Sequence, residues 1–279
     1  TGRPRRGRPV VRSSPAAMRA AARRSDDCLM VDTNRYGPLA ARVYHLDKPI
    51  GRSFGDIEYY AERLAECPGP VLEPAVGNGR VLIPLLERGL DVRGVDTSAE
   101  MLAHCREACA TRGLSAPLER QGFEDFSSAL AFAAIIVPAG SFQLITDPGR
   151  ARAVLRRFRA ALRPGGRLIL DLEPLSALTA PPGAARHWRD GADLLTLTEQ
   201  RVETDPVRQT TCSQLRYELW RDGALVATEI DLFALRFWGI LEFELALREA
   251  GFEAVEVVVD YRRGAAPSAQ AGMFTFEAR

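Results

Sequence analysis

The sequence contains almost no lysine. Lys48 is the single lysine among 37 basic residues in a chain of 279, so arginine carries nearly all of the positive charge. We attribute this bias to the base composition of the genome rather than to a binding function. The formal net charge is only +1, whereas binding to a phosphate backbone needs a concentrated basic surface. The overall charge therefore argues against a nucleic-acid partner.

The basic charge that does cluster lies in residues 1–29. This segment carries eight arginines and two acids, a net charge of +6, so the rest of the chain sums to −5. A basic tail can contact nucleic acid or a membrane. We interpret this one instead as a disordered leader, attached to a mildly acidic body.

Long apolar runs and paired cysteines are also missing. No run approaches the roughly 18 apolar residues that a membrane helix needs, so we predict a soluble protein with no membrane partner. Five cysteines are an odd number without a paired framework, which suits a cytoplasmic location. Cys105 and Cys109 lie beside His104, but a metal site needs more converging ligands, and we predict no metal.

Short apolar runs alternate with helix-like segments through the middle of the chain. The runs are 71–75, 91–95, 116–121, 131–137 and 166–173, and the helical segments between them are 79–88, 98–112 and 149–162. This alternation is typical of βαβ units and a parallel sheet. Pro84 predicts either a bend in the first of these helices or a later start for it. Outside this region we predict helices at 35–46, 56–66 and 240–250 and strands at 254–261 and 271–278.

The pattern changes after Pro174. Residues 174–185 have a loop-like composition, and three segments with period-two alternation follow at 194–204, 209–220 and 224–237. Arg221-Asp222-Gly223 between the last two is a good hairpin turn. This region predicts an antiparallel meander.

A glycine-spaced turn, VLEPAVGNGR, links the first strand to its helix. Gly77 and Gly79 allow a sharp turn and a close ligand, and Asp96 at the end of the next strand can accept both hydroxyls of a ribose. A dinucleotide fold needs a third glycine where this chain has Leu82. Glu73 would repel a pyrophosphate and instead suits a ligand with a cationic end.

These features resemble the class I S-adenosylmethionine-dependent methyltransferases. LEPAVGNGR is similar to their first motif, with Ala75 in place of the first glycine. GVDTSAEML is similar to their second motif, and LRPGGRLIL to the turn before their fifth strand. The resemblance spans roughly residues 35–279. It implies a Rossmann-like, seven-stranded, mostly parallel sheet with an antiparallel last strand, helices on both faces and a meander inserted after strand five.

The same resemblance divides the chain into regions. Helices within 30–69 are expected to cover the active site. Residues 70–173 and 239–279 would form the S-adenosylmethionine-binding domain, and 174–238 an antiparallel cap over the acceptor pocket.

The resemblance also implies the cofactor contacts. Glu73 would lie near the methionine amino group and Asp96 near the ribose. Gly122 stands where the family often has an aspartate, so we expect the backbone of Phe123, or Glu124, to meet the adenine instead. The residues assigned to S-adenosylmethionine are Glu73, Ala75, Gly77, Gly79, Asp96, Thr97, Met101, Gly122, Phe123, Glu124 and Pro138.

The N-terminal helices and the meander are similar to those of glycine N-methyltransferase relatives, which include aminosugar and glycopeptide N-methyltransferases. Tyr44 stands where these often have a tyrosine near the sulfonium methyl. His45 is either a base or a solvent-facing helix residue. His187, in the loop entering the meander, lines the acceptor pocket or caps its rim. The resemblance thus proposes Tyr44, His45 and His187 as catalytic residues.

Three further residues are expected to face the acceptor. They are Tyr60, Ser141 and Gln143, the last two with a plain turn role as the alternative. Aromatic residues of the meander form either its core or a cage around the acceptor; these are Tyr217, Trp220, Phe233, Phe237 and Trp238.

The sequence therefore predicts a methyltransferase that acts on an amine or hydroxyl of a small molecule in bacterial secondary metabolism and releases S-adenosylhomocysteine. Residues 137–142, VPAGSF, lack the Asp/Asn-Pro-Pro-aromatic motif of amino-methylating nucleic-acid enzymes. Two alternatives stay open: a different group transfer or cyclisation with the same cofactor, and a non-catalytic cofactor-binding protein. We expect a monomer or a homodimer.

Overall fold

The computed structural model describes residues 33–279, and the leader predicted at 1–29 lies outside them. The helices are α1 Pro38–Asp47, α2 Asp56–Ala65, α3 Leu82–Glu87, α4 Ala99–Thr111, α5 Pro148–Ala161 and α6 Ile240–Glu249. The strands of the first sheet are β1 Val71–Pro74, β2 Val92–Asp96, β3 Leu118–Arg120, β4 Phe132–Val137, β5 Leu162–Leu172, β10 Val255–Val259 and β11 Phe274–Ala278. Those of the second are β6 Arg186–Asp190, β7 Asp193–Asp205, β8 Thr210–Arg221 and β9 Ala224–Arg236.

The first sheet has seven strands in the order β10-β11-β5-β4-β1-β2-β3. All its pairings are parallel except those of β11, which runs antiparallel to both β10 and β5. The predicted fold class is confirmed. Parallel strands end at a common edge, so the loops after β1, β2, β4 and β5 meet there.

Strand β4 lies at the centre of the sheet and is buried along its whole length. Successive side chains of a strand point to opposite faces. Ile135 and Val137 accordingly pack with α5 and α6, whereas Ala134 and Ile136 pack with α2, α3 and α4. Helices therefore cover both faces, as predicted, and β4 reads as a continuous apolar run.

Helix α3 begins later than the glycine turn suggested. Its first residue is Leu82, so Pro84 falls in the first turn, where a backbone N–H has no partner within the helix. The later start was one of the two outcomes predicted for Pro84, and the helix is correspondingly short.

The meander is a separate four-stranded antiparallel sheet in the order β6-β7-β8-β9. Asp222 and Gly223 join β8 to β9 with positive φ angles of 50° and 76°, which suits a tight hairpin. Strand β6 was not predicted, and His187 lies in this strand rather than in a loop. The missed signal was Asp190-Gly191, a turn dipeptide of the same kind.

Helix α1 packs on the meander. Ala40 and Val43 share an apolar cluster with Leu195, Leu197 and neighbouring residues of β8. Its N-terminal amides are capped from strand β9, because the Glu229 carboxylate accepts hydrogen bonds at 2.8 Å and 3.3 Å from the first turn. This docking fixes the helix that carries Tyr44 and His45.

Candidate cofactor and acceptor site

The glycine turn after β1 has two distinct sides. A Cβ added at Gly77 would have only Tyr44 nearby, with Cε1 at 4.0 Å, whereas one at Gly79 would lie 2.7 Å from the Cys105 sulfur. Gly79 is therefore required for packing against α4, and Gly77 faces the side where Tyr44 lies. Ala75 adopts a φ of +57°, a region that strains residues other than glycine.

Asp96 ties this turn to the end of β2. Its two carboxylate oxygens accept hydrogen bonds from the backbone amides of Gly77 and Ser98, both at 2.8 Å. Each oxygen retains a further lone pair that can accept a hydroxyl. Burial raises the pKa of Asp96, and the amides oppose that rise. The geometry leaves a carboxylate edge suited to a ribose.

Glu73 is a buried acid with an unsatisfied oxygen. It is 3% exposed, and its Oε2 has no hydrogen-bond partner among the described residues. Burial raises the pKa of Glu73 to about 8, with Arg80 acting in the opposite direction. A buried acceptor without a donor is unfavourable, and an ammonium group would satisfy it. This observation fits the amino group of S-adenosylmethionine.

The turn after β3 is held by an aspartate that was not predicted as a site residue. The Asp125 carboxylate accepts a 2.6 Å hydrogen bond from the Gly122 amide. Phe123 instead packs edge-on against Phe142 and Phe158 in the core. Glu124 pairs with an arginine on the exposed face of α5 at 2.6 Å. Asp125 is thus an acid in contact with Gly122, the position at which the family often has an aspartate.

The other residues assigned to the cofactor flank these turns. Thr97 is exposed beside Gly122, where its Cγ2 would be 3.2 Å from an added Cβ. Met101 is buried at the start of α4 and donates its amide to the Ser98 hydroxyl. Pro138 follows β4, and its carbonyl accepts a hydrogen bond from the Ser141 hydroxyl.

A cavity of about 250 Å³ lies between α1, the loop after β4, the end of β5 and the meander. Its wall is half aromatic and apolar, and it also includes five charged side chains. These are Asp47, Lys48, Glu173, Arg186 and Glu199. Tyr44 belongs to this wall and also approaches Gly77, so it stands where the cavity meets the glycine turn.

The predicted catalytic residues fall in three different settings. Tyr44 lines the cavity, with its ring edge-on to Tyr36 at 6.0 Å. His45 stacks on His104 at 4.9 Å and lies 3.3 Å from the Asn78 side-chain nitrogen. Burial and His104 lower the pKa of His45. His187 is exposed on β6 and is not part of the cavity wall, to which its neighbour Arg186 belongs.

The predicted acceptor residues also separate. Ser141 and Gln143 line the cavity. The side-chain amide of Gln143 is hydrogen-bonded to the backbone of Glu173. Tyr60 is fully buried in the core beneath the sheet edge, where burial and the nearby Asp171 raise its pKa.

The meander aromatics divide between core and cavity. Tyr217 and Phe233 line the cavity. Phe237 and Trp238 are buried, and the Trp220 indole donates to Glu218. Sequence reasoning overlooked Glu173, although an acid at the carboxyl end of a central parallel strand was a usable signal.

Comparison with known proteins gives the same class. Residues 71–166 match the family described as methyltransferase domain. The Bacillus subtilis (strain 168) protein YqeM, whose name proposes it as a methyltransferase, is 21% identical over 76% of this chain and 84% of its own length.

Two solved structures share the fold. A sugar N-methyltransferase from Streptoalloteichus superposes with a TM-score of 0.69 at 18% identity, covering 99% of this chain and 98% of the other. An amino pentose methyltransferase from Micromonospora echinaspora, solved with S-adenosylmethionine bound, gives 0.63 at 19% identity, covering 89% and 100%. At sequence identities this low, the superpositions show a shared fold and no shared activity.

The methyltransferase-domain match over residues 71–166 and the likeness to YqeM agree with the glycine turn and support an S-adenosylmethionine-dependent methyltransferase. The predicted enzyme class is confirmed. Within residues 33–279, no helix is both long and apolar enough to cross a membrane.

Proposed function

We propose that this enzyme transfers the methyl group of S-adenosylmethionine to an amine of a small molecule in bacterial secondary metabolism, with a hydroxyl as the second candidate. The observation that carries the proposal is the cavity beside the glycine turn. It is of metabolite size at about 250 Å³ and includes three acidic side chains, Asp47, Glu173 and Glu199. Carboxylates of this kind suit a cationic acceptor.

The chain's own residues fit the methyl donor. Glu73 would hold its amino group through the unsatisfied Oε2, Asp96 would hold its ribose, and Gly77 would allow close approach. When bound, S-adenosylmethionine supplies a methyl group activated by a positively charged sulfur. The protein's part is to align the acceptor with that methyl group and to exclude water.

The comparisons support an amine acceptor. Two proteins of this fold are described as a sugar N-methyltransferase and as an amino pentose methyltransferase involved in calicheamicin biosynthesis. Amino sugars are therefore the first class to test.

The test is a screen with methyl-labelled S-adenosylmethionine against amino sugars and their matched hydroxyl counterparts. We expect label in at least one amino sugar and release of S-adenosylhomocysteine. Formation of a different nucleoside would overturn methyl transfer in favour of another group transfer. Cofactor binding without any turnover, together with Glu73→Ala and Asp96→Ala variants that keep the biological role, would indicate a binding protein.

We also propose a cytoplasmic enzyme without a bound metal, acting on free metabolites as a monomer or homodimer. Among residues 33–279, no group of three or more histidine, cysteine or acidic side chains could hold a metal ion. Metal analysis and size-exclusion chromatography with light scattering test these two points; a stoichiometric metal would overturn the first.

A further inference from the structure

Glu173 is a half-buried acid whose carboxylate is left without a close donor. It follows directly after β5 and lines the cavity. Among the described residues, no hydrogen bond or ion pair reaches its carboxylate oxygens, and its contacts with Gln143 both involve the Glu173 backbone. An acid in this position is available to a ligand in the cavity.

The position of Glu173 is fixed by Gln143. The Gln143 carbonyl oxygen accepts a 2.7 Å hydrogen bond from the Glu173 amide, and the Gln143 nitrogen lies 3.5 Å from the Glu173 carbonyl oxygen. Gly140 leaves room for both, because an added Cβ would lie 2.9 Å from the Gln143 oxygen and 3.6 Å from the Glu173 Cγ. The loop after β4 thus locks the end of β5 in place.

The other charges of the cavity are largely engaged. Asp47 and Arg186 pair with each other at 2.8 Å. Glu199 accepts a 2.8 Å hydrogen bond from the Ser213 hydroxyl. Lys48 lies over the Tyr44 ring, 4.9 Å from its centroid.

Burial therefore dominates at Glu173 and raises its pKa, Lys48 opposes the rise and Glu199 adds to it. The titratable and charged groups that line the cavity together with this carboxylate are Tyr36, Tyr44, Asp47, Lys48, Arg186, Glu199 and Tyr217. Of the three acids in the cavity wall, Asp47 and Glu199 have the partners given above. The carboxylate of Glu173 has none among the described residues and can bind a cation.

We propose that Glu173 binds the ammonium group of the acceptor and removes its proton before methyl transfer. This inference rests on the proposed function, since it requires an amine acceptor. The ammonium proton passes to the Glu173 carboxylate, and the freed nitrogen lone pair forms a bond to the methyl carbon. The carbon–sulfur bond breaks and its electron pair stays on the sulfur of S-adenosylhomocysteine. Glu173 then passes its proton to water, so each transfer releases one proton.

The first experiment measures binding rather than turnover. Wild type and Glu173→Gln, both saturated with S-adenosylhomocysteine, are titrated with amino sugars and their hydroxyl counterparts by calorimetry. We expect wild type to prefer amines by about tenfold at neutral pH, as a charge-assisted hydrogen bond implies, and Glu173→Gln to lose that preference. Unchanged affinity for S-adenosylhomocysteine shows that the variant is folded.

Two comparison variants sharpen the result. Glu62→Gln removes a carboxylate from the exposed face of α2 and controls for net charge. Glu199→Gln asks whether the neighbouring acid is responsible. Equal binding of amines and hydroxyl sugars by wild type, or loss of the preference in Glu199→Gln but not in Glu173→Gln, overturns the proposal.

Measurements of turnover then distinguish the proposed function of the enzyme from the role proposed for Glu173. For an acceptor that is methylated, Glu173→Gln should lower kcat/KM and move its pH optimum upward, because only amine already deprotonated in solution can react. Glu173→Asp should restore part of the rate. An intact amine preference with no methylated product from any acceptor would instead count against the proposed function. An unchanged pH profile in Glu173→Gln would count against Glu173 as the base.

Discussion

At the scale of single residues, Glu73 shows how a group proposed to bind the cofactor can oppose stability. Its side chain is 3% exposed and its Oε2 lacks a donor. The folded protein therefore holds the proton on Glu73 more tightly than the unfolded chain does. An acid with a raised pKa in the folded state destabilises that state as pH rises from the ordinary glutamate pKa towards the raised one.

We expect Glu73→Gln to stabilise the ligand-free protein at pH 7.5 by about 2 kcal/mol, since the isosteric amide, unlike the carboxylate, needs no proton uptake on folding. The same change should weaken S-adenosylhomocysteine binding at least about tenfold, because the partner of the ligand ammonium is lost. Wild-type affinity should fall as pH drops below about 8, the raised pKa of Glu73. Denaturant unfolding and calorimetry between pH 6 and 8.5 measure both effects.

Two outcomes would contradict the prediction for Glu73. A variant that is less stable at every pH would show that the carboxylate has a donor in the folded protein. Affinity that keeps its pH dependence in Glu73→Gln would place the linked proton on another group.

Ala75 illustrates strain at a position where the related motif has glycine. With φ at +57°, it occupies a region that disfavours L-residues by about 1–2 kcal/mol. Ala75→Gly should stabilise the protein by about 0.5 kcal/mol once the greater freedom of glycine in the unfolded chain is subtracted. The matched control is Ala103→Gly on the exposed face of α4, which should destabilise by about 1 kcal/mol. Destabilisation in both variants, measured by denaturant unfolding, would contradict the strain interpretation.

At the scale of elements, the meander and α1 act as one unit over the cavity. The helix has glycine at its N-cap and no side-chain cap of its own. Glu229 on β9 supplies the missing acceptor to the amides of Leu39 and Ala40. An anionic group at a helix N-terminus is also favoured by the helix dipole.

Glu229→Ala should therefore destabilise the protein by about 1 kcal/mol and loosen α1. We expect faster hydrogen exchange in α1 amides and weaker acceptor binding, with little change in α4. Glu62→Ala on the exposed face of α2 is the control. If both variants exchange alike in α1, the cap does not hold this helix.

At the scale of the whole molecule, residues 33–279 form one compact unit by their contacts. The tryptophans report on its two sheets separately. Trp238 packs against Phe142 and Phe243 of the main core, whereas Trp188 and Trp220 belong to the meander.

We expect the two sheets to unfold together. Helix α1 buries apolar side chains against the meander, and the meander shares the cavity wall with the loop after β4 and with Glu173 at the end of β5. Denaturation followed by fluorescence in Trp238→Phe, which reports on the meander, should give the same midpoint as in the double variant Trp188→Phe/Trp220→Phe. An earlier transition in the meander reporter would show that the cap unfolds on its own.

Much of the fold was accessible from the sequence because its signals are local. The central run FAAIIV, the turn glycines and the hairpin dipeptide Asp222-Gly223 each encode their own geometry. Strand β6 was missed because its polar residues lack apolar alternation, although Asp190-Gly191 marked the turn. The placement of the glycine turn and Asp96 at one sheet edge also followed from parallel topology alone.

The site was harder to predict because it depends on partners far apart in the chain. Glu124 forms an ion pair with an arginine of α5, and His45 stacks on a histidine of α4. Neither contact can be predicted from the neighbouring residues in the sequence. Gln143, predicted to face the acceptor, lines the cavity, and its side-chain amide also holds the backbone of Glu173, thirty residues away.

The class of this protein follows from short-range patterns of the sequence: the order of the strands, the glycine turn and the acids at the strand ends. Which charged side chains stay without a partner depends on the folded structure. That outcome depends on burial and on competition among distant donors. It concerns Glu73 and Glu173, the two carboxylates that we propose as contacts of the cofactor and of the acceptor.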